Sequence, residues 1–235
     1  MNAGFDLIVF DWDGTLMDST RAIARALQLA CRDLGLPVPD DARARHVIGL
    51  GFTEALQYAA PALPPRDYPK IAARYRRHYL ATHEELALFP GVADLLAWLA
   101  GEGRLLAVAT GKSRAGLAHA LEHSGLGPFF QATRCADECF SKPHPAMLEE
   151  LMAELKVAPA RTLMIGDTTH DLRMAKNAGV AGVGVGFGAH TPAALRAEAP
   201  LACVETPREL ADWLKANVVV RDQESGIGFD LIGGQ

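Results

Sequence analysis

The stretch F-D-L-I-V-F-D-W-D-G-T-L-M-D-S (5–19) decides how the rest of this chain is read. Phe5–Phe10 has the apolar, β-rich character of a short buried strand. Side chains two apart on an extended segment share a side, so Asp11 and Asp13 both project where this strand leaves its sheet, and Gly14-Thr15 turns the chain away. Two carboxylates placed together repel. They are comfortable if a cation neutralises them or if one holds a proton, and hard oxygen ligands of this kind suit Mg2+. A solvated strand-end turn is the alternative, and a motif this short leaves both readings open.

Working outward, from residue 88 the sequence alternates short apolar runs with amphipathic ones, which is the rhythm of a parallel sheet covered by helices. Strands are predicted at 105–109, 131–133, 162–165, 181–185 and 201–204. Helices are predicted around 91–100, 114–123, 145–155, 169–178, 192–198 and 207–216, and Met147, Leu148, Leu151, Met152 and Leu155 mark the helical period well. Residues 17–87 read as entirely helical and separate the first strand from this region. The expected architecture is therefore an α/β, Rossmann-like parallel sheet (1–16 and 88–217) with an inserted all-helical domain (17–87). The tail 218–235 has no readable role.

The other strand ends also carry chemistry. A-T-G-K-S (109–113) looks like the end of a P-loop, but the second glycine that loop requires is Leu106 here. Strand, turn and helix start can nonetheless aim N–H groups at a phosphate. The strand 162–165 ends in G-D-T-T-H-D, which places Asp167 at its end and Asp171 one helical turn on. Ligands of open α/β sheets sit outside the carboxyl ends of the strands. Thr110 and Lys142, the latter in S-K-P-H-P, fall at the ends of connected elements too. A threonine hydroxyl, a lysine and four acids make a phosphate site with a metal beside it.

With these four motifs in this order, the chain resembles the haloacid dehalogenase superfamily, and within it the phosphoglycolate phosphatase-like branch. The resemblance spans residues 5 to about 216, and the helical insert falls where that branch carries a small cap. It departs at Trp12, where the family usually has Leu, and at Thr110-Gly111, where Thr or Ser followed by Asn is common. The resemblance implies a Mg2+-dependent phosphatase of a small phosphomonoester. Asp11 would be the nucleophile that forms an aspartyl-phosphate, and Asp13 the acid and base. Asp11, the backbone carbonyl of Asp13 and Asp167 would hold Mg2+, with Asp171 acting through water or by orienting Lys142. Thr110 and Lys142 would neutralise the phosphoryl oxygens. Gly111 and Lys112, with Arg45 and His46 from the cap's specificity loop, would contact the substrate. A phosphomutase or a pyrophosphatase would use the same residues, and a phosphate- or nucleotide-binding regulatory module would bind without turnover. A dehalogenase would leave Asp13 surplus.

Composition narrows the remaining classes. The 235 residues are 49% hydrophobic with a net charge of −5, enough for a full core and without the basic excess of nucleic-acid or membrane-surface proteins. Segment 17–87 carries 10 basic against 8 acidic residues, a bias that suits closing over an anion. Four scattered cysteines read as reduced thiols, residues 1–13 carry acids where a signal peptide carries bases, and no apolar run spans a membrane. A cytoplasmic monomer or homodimer acting on a small anionic phosphoester is expected. Two look-alikes are set aside. Gly184–Ala189 fits a relaxed dinucleotide fingerprint but reads better as a glycine-rich turn beside the site. In R-Y-R-R-H-Y (74–79), Ile71, Tyr75 and Tyr79 form one buried stripe rather than an RNA face. His170 is placed near the site with no chemical role.

Overall fold

In the computed structural model, which describes residues 4–82 and 86–218, one parallel sheet carries six strands. They are β1 (Leu7–Phe10), β2 (Leu105–Thr110), β3 (Ala132–Cys135), β4 (Thr162–Gly166), β5 (Ala181–Val185) and β6 (Ala202–Val204), in the order β3-β2-β1-β4-β5-β6. Helices α5 (Val92–Gly101), α6 (Arg114–Ser124), α7 (Ala146–Leu155), α8 (Thr169–Asn177), α9 (Pro192–Ala197) and α10 (Pro207–Asn217) connect or follow them. The α/β class read from the sequence is the observed one.

Strand alternation explains the layering. Leu7 and Val9 join Met147, Leu148 and Leu151 of α7 and Met174 of α8 on one face of the sheet. Ile8 and Phe10 join Leu96 and Leu99 of α5, Leu117 of α6 and Leu214 of α10 on the other. All four residues of β1 are buried, as expected for a central parallel strand covered on both faces. Phe10 pairs with Val108 on one side and Ile165 on the other. The chain therefore leaves β1 level with the ends of β2 and β4. Strand order reverses direction between β1 and β4, and the crevice at the carboxyl ends of such a sheet is where ligands bind.

Between β1 and α5 the chain forms α1 (Thr20–Asp33), α2 (Asp41–His46), α3 (Phe52–Ala59) and α4 (Tyr68–Leu80). These helices enclose an apolar cluster of their own, which includes Leu27, Cys31, Ala44, Leu56 and Ile71. The two connections to the sheet run side by side: Met17 bridges Leu88, Asp18 N donates to Ala87 O (3.0 Å) and Phe89 N donates to Leu16 O (3.0 Å).

Strand boundaries shift by one or two residues from expectation everywhere except β5. β1 begins at Leu7 rather than Phe5, β2 and β4 each run one residue further, β6 begins one residue later, and β3 runs 132–135 rather than 131–133 because its partners on β2 are residues 107–110. Among the described residues no helix is long and apolar enough to cross a membrane. Residues 219–235, nearly all of the tail of unread role, lie outside the described residues.

Candidate active site

The centre of the crevice is a buried ion network. Asp171 belongs to the capping box that opens α8: its Oδ2 accepts from Thr168 N (3.1 Å) and Thr168 Oγ1 (2.7 Å). That use of Oδ2 leaves Oδ1 facing the Lys142 ammonium at 2.7 Å. The same ammonium lies 2.9 Å from Asp11 Oδ1, which also accepts from Trp12 N (2.6 Å). Asp167 is held at both oxygens, by Thr15 Oγ1 (3.0 Å) and by Ala189 N (2.7 Å) from the glycine-rich turn after β5. Asp11, Lys142, Asp167 and Asp171 are all buried.

Burial dominates the electrostatics. It raises Asp11 to about 7, with the Asp171 charge adding to the rise and Lys142 opposing it. It raises Asp167 as well, reinforced by the charges of Asp11 and Asp171. Burial works against the Lys142 ammonium, but Asp11 and Asp171 outweigh it and keep the lysine charged. One lysine thus pairs with two of three carboxylates that each offer an oxygen within 4.8 Å of the others, and the third, Asp167, has no cation beside it among the described residues. Asp11 Oδ2 is buried and has no hydrogen-bond partner. An excess of clustered carboxylate oxygen with one oxygen unsatisfied fits a hard divalent cation.

Removing the lysine should expose this imbalance. Lys142→Met is expected to cost about 3 kcal/mol, the low end for breaking a buried pair, because Asp11 can relieve part of the strain by taking a proton. Urea unfolding without divalent cations measures it. A loss under about 1 kcal/mol would mean the network does not depend on Lys142.

Asp13 sits beside this group with a separate set of partners. Its Oδ1 accepts from Ser19 Oγ (2.6 Å) and lies 3.0 Å from Lys112 Nζ. Lys112 also donates to Tyr79 OH of α4 (3.2 Å) and lies 5.1 Å from the centre of that ring. Thr110 is buried at the end of β2, where its Oγ1 accepts from Lys112 N (3.2 Å) and its hydroxyl proton stays available to a ligand.

The helical insert reaches the site through backbone. Gly49, at φ +89°, is placed so that a Cβ on it would lie 3.7 Å from Asp11 Oδ2. A Cβ on Gly111 would fall 2.7 Å from the Gly49 carbonyl and from Leu50 O, so this approach requires glycine at 111. Gly51 N donates to Ser141 Oγ (2.7 Å).

The residues expected to touch substrate divide accordingly. Gly111 and Lys112 are in the crevice, although Lys112 is spent on Asp13 and Tyr79. The side chains of Arg45 and His46 are committed elsewhere. Arg45 Nε pairs with Asp41 Oδ2 (2.9 Å) on the same helix, and the His46 ring packs on Tyr58, His170 and His190. Helical spacing explains the first, since residues four apart meet on one face. His170 has a structural partner that the sequence did not suggest: its Nε2 donates to His46 O (2.7 Å). Burial lowers His170 to about 4 and keeps it neutral.

Sequence reasoning also passed over Thr15, Ser19, Ser141, Tyr79 and His190. Thr15 and Ser19 lie inside the first motif and Ser141 precedes Lys142, so proximity to a motif was a usable signal for those three. Tyr79 was assigned to an apolar stripe, which is half of its role: it stacks on Tyr75 (5.8 Å) and turns its hydroxyl to Lys112.

This sheet, with its carboxylate and lysine cluster at the crevice, defines an enzyme of the haloacid dehalogenase-like hydrolase family, whose model matches residues 8–185, and the chain belongs to that family. Among its relatives, the "Probable phosphatase IndB" of Dickeya dadantii is 40% identical over 211 residues, which cover 87% of this chain and 91% of that one. The phosphoglycolate phosphatase of Pseudomonas putida is 31% identical over 211 residues, covering 87% and 78%. A haloacid dehalogenase-like family hydrolase from Streptococcus pneumoniae superposes with a TM-score of 0.75 at 25% identity, covering 89% of this chain and 98% of that one.

Proposed function

We propose that this protein is a Mg2+-dependent phosphatase that hydrolyses a small phosphomonoester, 2-phosphoglycolate-like in size, through an aspartyl-phosphate on Asp11. The carrying observation is Asp11 Oδ2: a buried, unpartnered carboxylate oxygen at the end of the central strand, with a lysine on its sibling oxygen and a second acid two residues on. Phosphatase relatives along most of the chain support the reaction class.

In this reading Asp11 attacks phosphorus while Lys142 and Thr110 neutralise the phosphoryl oxygens. Asp13, oriented by Ser19 and Lys112, protonates the leaving alkoxide and later takes a proton from the attacking water. Asp167, Asp11 and the backbone carbonyl of Asp13 would hold the metal, which supplies positive charge for the phosphoryl group. Asp171, with both oxygens engaged, orients Lys142. The helices of 17–87 serve as a cap, and the glycine backbone of 49–51 limits the room for the leaving group.

The deciding experiment is hydrolysis of a panel of phosphoesters, from 2-phosphoglycolate to sugar phosphates and nucleotides, with and without Mg2+. Turnover confined to small esters and dependent on Mg2+ is expected. Absence of turnover on every ester would sink the reading.

The raised carboxyl groups add a pH prediction. Unfolded aspartates titrate near 3.9, whereas Asp11 and Asp167 titrate higher in the metal-free fold. The fold therefore binds more protons than the unfolded chain between about pH 4 and 7, and metal-free stability falls as pH rises through that window. A divalent cation removes the penalty once the carboxylates are ionised. Saturating Mg2+ should raise Tm more at about pH 8 than at about pH 5.5 in scanning fluorimetry. Equal increments would mean these carboxylates do not bind it.

A further inference from the structure

Two imidazoles of the sheet domain converge on one carbonyl of the helical insert. His46 ends α2, where helix carbonyls lack intrahelical partners. Its carbonyl oxygen accepts from His170 Nε2 (2.7 Å) and His190 Nε2 (3.1 Å), which fills both lone pairs. The His46 ring closes the arrangement, stacked on His190 (5.2 Å, 5°) and edge-on to His170 (5.1 Å, 74°). His170 and His190 are buried.

What this junction holds is the strap 47–51. It is pinned at one end by the two histidines through His46 O and at the other by Ser141 through Gly51 N. Gly49 lies between these pins, against Asp11 and Thr168. Val47 and Ile48 are buried, so the strap has apolar anchorage as well. Neither imidazole hydrogen-bonds a carboxylate that does the chemistry in the reading above; His190 touches that group through its backbone N, which donates to Asp167 O (3.2 Å) and which substitution of the side chain leaves in place. Both act on the segment that sets the space over Asp11.

Three imidazoles this close could instead be a transition-metal site, since one nitrogen from each lies within 4.8 Å of the others. The hydrogen bonds argue against it. Thr169 N donates to His190 Nδ1 (3.0 Å), so that nitrogen carries no proton and the neutral ring must carry it on Nε2. The Nε2 lone pair a metal would need is thereby occupied, and moving the proton to Nδ1 would set two N–H groups against each other.

We propose that His170 and His190 are positioning residues that clamp the His46 carbonyl and so hold the 47–51 strap over Asp11, making the site selective for small leaving groups. The selectivity rests on the phosphatase reading; the clamp itself does not. Glutamine and asparagine at each position separate donor placement from polarity, because a glutamine amide reaches the place of Nε2 and an asparagine amide falls short. In His190→Asn and His170→Asn, amide hydrogen exchange of residues 47–51 should accelerate while the sheet keeps its protection. In the Gln variants it should stay near wild type. On 2-phosphoglycolate, KM should rise about tenfold in the Asn variants with kcat changing less, while p-nitrophenyl phosphate should lose no more than about twofold.

Equal exchange in Asn and Gln variants, or unchanged exchange at 47–51 in the Asn variants, overturns the clamp. So does a stoichiometric transition metal in the purified wild type that is lost in His190→Gln. If no phosphoester is turned over by the wild type, the phosphatase reading fails, and the exchange comparison still decides the clamp.

Discussion

Asp11→Asn should abolish phosphoester turnover, by about 10⁴-fold or more, without unfolding the protein. An amide oxygen is a poor nucleophile and a poor metal ligand, and Asp11 would be asked to serve as both. The fold should tolerate the exchange for a reason visible in the network. Burial already raises Asp11 to about 7, so a neutral side chain at that position costs little near neutral pH, and Lys142 keeps Asp171 as its counter-ion. Steady-state rates on the best ester, with circular dichroism melting beside them, make the test. Turnover within tenfold of wild type would remove Asp11 from the chemistry, and with it the aspartyl-phosphate.

Asp13→Asn should have an effect that depends on the leaving group. An alkoxide needs a proton as it departs, so an alkyl phosphate should lose about 10²- to 10⁴-fold, the range for a positioned general acid. Nitrophenolate leaves without one, so the first transfer from p-nitrophenyl phosphate should survive better while hydrolysis of the aspartyl-phosphate lacks its base. The phosphoenzyme should then accumulate. Stopped-flow absorbance should show a nitrophenolate burst approaching one per active site, followed by a slow phase. The substitution is conservative in geometry, because an Asn Oδ1 can still accept from Ser19 and Lys112, the partners that orient Asp13. Equal slowing of both esters with no burst, in a variant that melts like wild type and still binds Mg2+, would refute the acid–base role.

Both tests address residues that were readable in the sequence. Asp11, Asp13, Thr110, Asp167 and Asp171 could be picked out because each stands at a strand end or one helical turn beyond it, and Lys142 because S-K-P-H-P marks the loop between β3 and α7. Strands and helix starts announce themselves through local apolar periodicity. A parallel sheet then brings such ends to one edge, whatever the loops between them do. The six-stranded class and the helical insert between β1 and α5 were legible for the same local reason.

What the local pattern could not carry is the contact between the insert and the sheet. Lys112 was expected to meet substrate, yet in the fold it lies between Asp13 and Tyr79, and Tyr79 comes from a helix whose pattern speaks only of its buried stripe. Arg45 and His46 had the right chemistry and position for substrate contact. The turn of α2 sends one side chain to Asp41 and the other into a histidine stack. The bonds from His170 and His190 to His46 O cross 124 and 144 residues, and the bond from Gly51 to Ser141 crosses 90. The sequence alone thus determined the α/β class, the acids at the strand ends and the lysine of the loop before α7, because all follow from patterns a few residues long. Only the tertiary structure decided which groups face those acids across the crevice, because that depends on how two separately packed cores are set against each other.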